Sequence, residues 1–302
     1  MIAQTLEYER RPSALATMLR AFLPGRRHVR GDTGLAARWR GHRADERELR
    51  DFLRLTGLPE GEDLPLLYPH TFGFPLSMAV LTHPSFPVPI WRVLQTRNRI
   101  VQHRAIARGQ RLDLEVRHSA TRVITKGLEL DLHTTVLAEG VLAWQSLVTF
   151  LARGRFGPPE EPGPTPQAPR DTGRLLTRWT MADDAHLRFG RFTGDYNGIH
   201  TSDWYARRLG FASALYHPSR VLGQCLARLP AVGAGVPVRL EVWLKGPVPH
   251  GASVELHARS DGDGDTFALF AEPERPSIVG QLRRVERVDD PGNAFEREVR
   301  PT

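Results

Sequence analysis

The chain has 302 residues, 40% of them apolar and 25% charged, which excludes wholesale disorder and suits two domains or one large one. Its formal net charge is +7, almost all of it arginine, since Lys126 and Lys245 are the only lysines; no helix-turn-helix, zinc-finger or RNP pattern accompanies that charge, so nucleic acid is not the expected partner. No apolar run approaches the roughly 18 residues of a membrane span, no secretory signal opens the chain, and the single cysteine, Cys225, allows no internal disulfide, so a cytoplasmic protein without a membrane span is expected.

In chain order, Leu15, Met18, Leu19 and Phe22 recur at helical spacing behind a candidate N-cap, Ser13, with Pro24 as terminator. A second helix is expected from Asp45 to Leu55, with Leu49, Phe52 and Leu53 on one face. Both read as core-packing helices of a helical N-terminal extension, residues 1–59. Phe74 to Leu81 is an apolar helical segment that Pro84 ends. Strands follow, because Leu112, Leu114 and Val116 alternate with charged residues and Leu128, Leu130 and Leu132 do the same. Val141 to Leu151 reads as a more buried strand. These elements form a first unit, residues 60–153.

Residues 154–173 contain six prolines and almost nothing apolar, and predict an extended linker over the surface. Beyond it the plan repeats in a second unit, residues 174–287. A helix-like segment, Ser219 to Leu229, places Cys225 on an apolar face, where it reads as buried and inert. Alternating strands at Val238–Lys245 and Val254–Arg259 come next. Asp261 to Asp265 reads as a hairpin turn, and strands at Phe267–Ala271 and Ser277–Val285 complete the set. Residues 288–302 form a tail. One helix followed by about four antiparallel strands, twice over, is an α+β arrangement.

Chemistry concentrates in Arg191 to His217. Gly194 and Gly198 flank Asp195, Tyr196 and Asn197, which suggests a tight turn. Asp195 and His200 lie five residues apart, a spacing that can bring a carboxylate and an imidazole onto one water. Asn197 can orient either partner. A plain turn with a structural histidine accounts for the same residues, so physics alone leaves both readings open. A short helix is expected over Asp203–Arg208, with Trp204, Ala206 and Leu209 partly buried. The remaining histidines, His70, His83, His103, His118, His133 and His257 among them, show no metal-ligand spacing.

The run Phe192-Thr-Gly-Asp-Tyr-Asn-Gly-Ile-His200, with Ala206, Gly210-Phe211 and His217 behind it, resembles the signature of MaoC-like proteins, the R-specific enoyl-CoA hydratase or hydratase 2 group. Leu67–Pro89 and Thr149–Arg153 look like part of a degenerate first copy. The resemblance implies a double hot-dog, in which two antiparallel sheets each wrap a helix and pack as a pseudo-dimer, with residues 174–287 the catalytic unit. It implies reversible hydration of trans-2-enoyl to (3R)-3-hydroxyacyl thioesters, carried by CoA or an acyl-carrier protein, with no metal and no redox cofactor. Asp195 and His200 would hold the catalytic water, supported by Asn197. Gly194, His217 and Ser219 would contact substrate, in a tunnel to which the first unit gives apolar walls such as Phe74, Leu76, Met78 and Leu81. A homodimer of double hot-dogs is compatible with it. Two departures stand out. Gly198 replaces the usual proline, and His217-Pro218 replaces His-Gly, so Ser219 or Arg220 would have to supply the amide that polarises the thioester carbonyl. Two alternatives remain open: a hot-dog thioesterase, and a non-catalytic thioester-binding subunit.

Overall fold

The computed structural model describes residues 4–21, 33–160, 166–184, 186–230 and 236–285. Eleven strands form one sheet in the order β1-β2-β4-β5-β6-β3-β8-β11-β10-β9-β7. Here β1 is Gln4–Tyr8, β2 Leu35–His42, β3 Val93–Gln102, β4 Leu112–Ile124, β5 Gly127–Ala138 and β6 Val141–Arg153. In the second half β7 is Arg174–Thr180, β8 Val238–Leu244, β9 Ser253–Asp261, β10 Gly264–Glu272 and β11 Arg275–Arg284. The order β2-β4-β5-β6-β3 is mirrored by β7-β9-β10-β11-β8, and the halves join where β3 pairs antiparallel with β8, from Arg97↔Trp243 to Gln102↔Val238. This is the double hot-dog that the resemblance implied.

Each half keeps one helix on the inner face of its sheet. In the first it is α3, Tyr68–Leu81, apolar all round and buried over most of its length, as a helix wrapped by a sheet must be. Its counterpart is α7, Pro218–Leu226, where Cys225 is fully buried and its thiol is pushed up to about 12 by desolvation. Asp261 and Gly264 pair across the two-residue turn that the Asp-Gly-rich segment predicted. The linker is pinned at both described ends: the Glu160 amide donates to Val123, and the Trp243 indole donates to the Pro166 carbonyl at 3.1 Å. Among the described residues no helix is long and apolar enough to cross a membrane.

Residues 1–59 depart from the helical extension expected of them. The helices are present, as α1, Ala14–Ala21, and α2, Glu46–Thr56, but β1 and β2 belong to the sheet. Strand β2 pairs antiparallel with β4, so the first half begins there and not at residue 60. The strand escaped notice because its buried alternation, Leu35, Ala37, Trp39, is interleaved with arginines and alanines that favour no strand. The α1 helix does not pack its apolar stripe into the core: Leu15 is 67% exposed, and Met18 and Leu19 are exposed with it, while Thr17 turns inward. Phe22, Pro24 and the tail lie outside the described residues. Meanwhile α2 is a core helix, N-capped by the Asp45 carboxylate, which accepts from the Arg47 and Glu48 amides.

Candidate active site

The signature segment leaves the sheet and folds over the second half as three short helices: α4 (His186–Thr193), α5 (Gly198–Thr201) and α6 (Asp203–Arg208). Phe189 and Phe192, three apart on α4, are buried against Phe52 of α2, with ring centroids 6.2 and 6.5 Å away. Burial of an aromatic side chain contributes roughly 1.5–3 kcal/mol, which anchors α4 firmly. Arg11 ties the same corner together through a charge pair to Glu48 and a hydrogen bond to the Arg191 carbonyl. The N-terminal residues therefore buttress the site. Gly194 ends α4 at φ 73°, a conformation costly for a side-chain-bearing residue, and so turns the chain towards Asp195.

The Asp195 carboxylate is held by the turn. Its Oδ1 accepts from the Asn197 amide at 3.1 Å, and Asn197 Oδ1 accepts in turn from Ile199 to cap α5. The other oxygen, Oδ2, lies 3.6 Å from His200 Nε2. His200 Nδ1 donates to the Leu215 carbonyl at 2.9 Å, which fixes the tautomer of the neutral ring with its Nε2 lone pair on the side of the carboxylate. His217 stacks on His200 with centroids 4.0 Å apart and donates from Nε2 to the Asp195 carbonyl at 3.2 Å. Burial holds the His217 imidazole well below its usual pKa, and the neighbouring His200 pushes the same way; the hydrogen bond to Asp195 opposes them.

Asp195 and His217 border a cavity of about 50 Å³, ample for a water molecule, between the two halves, and His200 stands behind them. Asp195, His217, Pro218, Ser219 and Leu222 line one side. At the N-terminus of α7, Pro218 occupies the first helical position and has no N–H. The Arg220 amide donates back to the His217 carbonyl at 2.9 Å. Ser219 thus carries the first backbone N–H left without a partner among the described residues, at the positive end of the helix dipole.

The structure sorts the expected residues. Asp195, His200 and His217 come together, and Ser219 lines the cavity with Asp195 and His217. Gly194 shapes the turn and does not line the cavity, and the exposed Asn197 side chain caps α5 and reaches neither Asp195 nor His200. Of the apolar wall, Phe74 lines the cavity, while Leu76 and Leu81 are core and Met78 packs against that core. On α6 only Ala206 is buried; Trp204 is 65% exposed and Leu209 is exposed as well. Not foreseen were His70, Gln95 and Asn98, which line the cavity from the first half. Arg220 was expected at most to offer an amide, but it is its side chain that acts: buried, it binds Asp184 at 2.7 Å and lies over the Tyr216 ring, clamping α7 to the loop before α4. Its only sequence signal was a charge inside an apolar helix.

One ligand atom each of Asp195, His200 and His217 lies within 4.8 Å of the others, the one grouping with metal-ligand proximity among the described residues. Both histidines spend an N–H on a backbone carbonyl. Asp195 Oδ2 and His200 Nε2 are left as neighbouring acceptors, 3.6 Å apart.

No family model matches the chain. It is 30% identical over 244 residues to 3-hydroxyacyl-thioester dehydratase X of Mycobacterium tuberculosis, covering 79% of this chain and 85% of that one. The crystal structure of HtdX from the same organism superposes with a TM-score of 0.69 at 25% identity, over 83% of this chain and 100% of that chain. A MaoC-like dehydratase from Phytophthora capsici has the same fold, with a TM-score of 0.69 at 14% identity, over 83% of this chain and 95% of the other. With its signature folded over an inter-half cavity and that degree of likeness, the chain belongs to the MaoC-like dehydratase family.

Proposed function

We propose that this chain adds water to, and removes it from, acyl thioesters, interconverting trans-2-enoyl and (3R)-3-hydroxyacyl forms. The observation that carries the reading is the pair Asp195 Oδ2 and His200 Nε2, held 3.6 Å apart, both of them acceptors when the imidazole is neutral. Two acceptors cannot bond each other and need a donor between them; one water meets both through its two O–H groups. Its lone pairs then face away from the pair, towards the cavity.

In the hydration direction the water oxygen bonds to Cβ as one of its protons passes to the pair, and the pair returns a proton to Cα. Water has then been added across the double bond, with no net proton gained or lost. Asp195 is the base in this scheme; the proton it takes crosses the 3.6 Å gap to Nε2 of His200, the water-holding partner, which then delivers it to Cα. Charge builds on the thioester oxygen meanwhile, and the Ser219 N–H at the start of α7 is the group available to bind it. Dehydration runs the same steps backwards. The chemistry draws on no metal or redox cofactor; CoA or a carrier's phosphopantetheine enters as part of the substrate.

Incubation with crotonyl-CoA and longer 2-enoyl-CoAs tests the reading. Loss of absorbance in the enoyl band is the expected result. Release of free thiol would instead make the chain a thioesterase, and neither signal would make it a thioester-binding subunit.

A further inference from the structure

The first half was expected to give the cavity apolar walls, yet it presents three polar side chains there: His70 from α3, and Gln95 and Asn98 from β3. Asn98 is the most constrained. It is 5% exposed, and its Oδ1 is buried with no hydrogen-bond partner. Its cross-strand neighbours are Val148 on β6 and Val242 on β8, so neither flank of the sheet offers a donor. No hydrogen bond reaches the side chains of His70 or Gln95 from the described residues either. An unsatisfied buried amide is destabilising, and a wall meant for hydrocarbon would do better with leucine.

We infer that this wall selects the substrate. Resting on the hydration reading, the proposal is that Asn98, with His70 and Gln95 beside it, binds a hydroxyl on the acyl chain beyond the reacting carbons. The preferred thioester is then a hydroxylated acyl chain and not a plain hydrocarbon. A hydroxyl supplies the hydrogen that Asn98 Oδ1 lacks and accepts from a neighbouring donor such as the Gln95 amide. A site built around such a hydrogen bond discriminates against the analogue without it, because the site's own polar groups are then left unpaired.

The test is a series of 2-decenoyl-CoA derivatives, each with one hydroxyl at a successive carbon beyond the double bond, against 2-decenoyl-CoA itself. At least one hydroxylated member should exceed the plain compound in kcat/KM by about 10–100-fold, the range of one buried hydrogen bond. Asn98→Leu should collapse or invert that ratio, and should melt no lower than wild type, since it removes an unsatisfied group. Gln95→Leu, at a half-buried position on the same strand, should shrink the ratio and serves if Asn98→Leu does not fold. Hydration of the plain compound with no hydroxylated member preferred would overturn the proposal and leave the reaction standing. An equal loss on all substrates in Asn98→Leu would place the residue on the arm common to them, and would overturn it too. Absence of hydration with every thioester would overturn the reaction assignment first, and this proposal with it.

Discussion

Asp195→Asn tests the acceptor pair most directly, because the structure dictates how the new amide must sit. Asp195 Oδ1 accepts from the Asn197 amide, so the substituted side chain keeps its carbonyl oxygen there. Its NH₂ then takes the place of Oδ2, 3.6 Å from the lone pair of His200 Nε2. Two acceptors that needed a donor between them become a donor and an acceptor that bond directly after a small rotation, and the water's position closes. Loss of a positioned acid–base group lowers kcat by about 10²–10⁴-fold. The new hydrogen bond should meanwhile stabilise the fold by about 0.5–1.5 kcal/mol, a rise in Tm of a few degrees at most. The assay is the enoyl-band rate at saturating substrate, alongside a thermal melt. His200→Ala should cost a similar factor, and the double variant should be little worse than either single one, since the pair acts as a unit. A folded Asp195→Asn protein with near wild-type hydration would refute the water-holding role of the pair.

Three further outcomes are expected. Ser219→Ala keeps the backbone amide and should hold kcat within a few-fold, whereas Ser219→Pro removes it and should cost about 10²–10³-fold, checked by kinetics after circular dichroism confirms the fold. At Gly198 a Cβ would sit 2.8 Å from the Tyr205 ring, so Gly198→Ala should destabilise by about 1–3 kcal/mol, and pairing it with Tyr205→Ala should restore most of the loss in a denaturant melt. Burial lowers His42 and His70 to about 4 and holds His217 well below its usual value. The native state therefore refuses protons that the unfolded chain takes up below about 6.5, and stability should fall as pH drops from 6.5 towards 4. Replacing His70 with Gln should flatten that slope; an unchanged slope would mean that His70 is not kept neutral.

The same Gly198 accounts for a departure that sequence could report but not explain. The signature that this segment resembles has proline at that position, and here the ring of Tyr205 fills the space that a proline Cβ would take. Likewise Pro218, where the resembled signature has glycine, offers no N–H, and only the hydrogen bond from the Arg220 amide to His217 singles out Ser219.

What the sequence by itself determined is what neighbours along the chain decide. The turn around Asp195 is closed by bonds spanning two residues, from Asn197 to Asp195 and from Ile199 to Asn197, so its shape travels with the motif. Period-two alternation marked β4, β5, β8 and β9, because one face of each meets the core. The tertiary structure decided the rest. Strand β3 reads as polar, yet it lies at the centre of the sheet and is buried on both faces from Arg97 to Gln102, with Arg99 paired to Glu241 from β8 across the seam. Whether α1 hides its apolar stripe depends on what packs against it, which periodicity does not contain. His70, Gln95 and Asn98 meet Asp195 only because residues far apart in sequence pair along the β3–β8 seam, and that pairing is a property of the whole sheet, with no trace in the local pattern of any one segment.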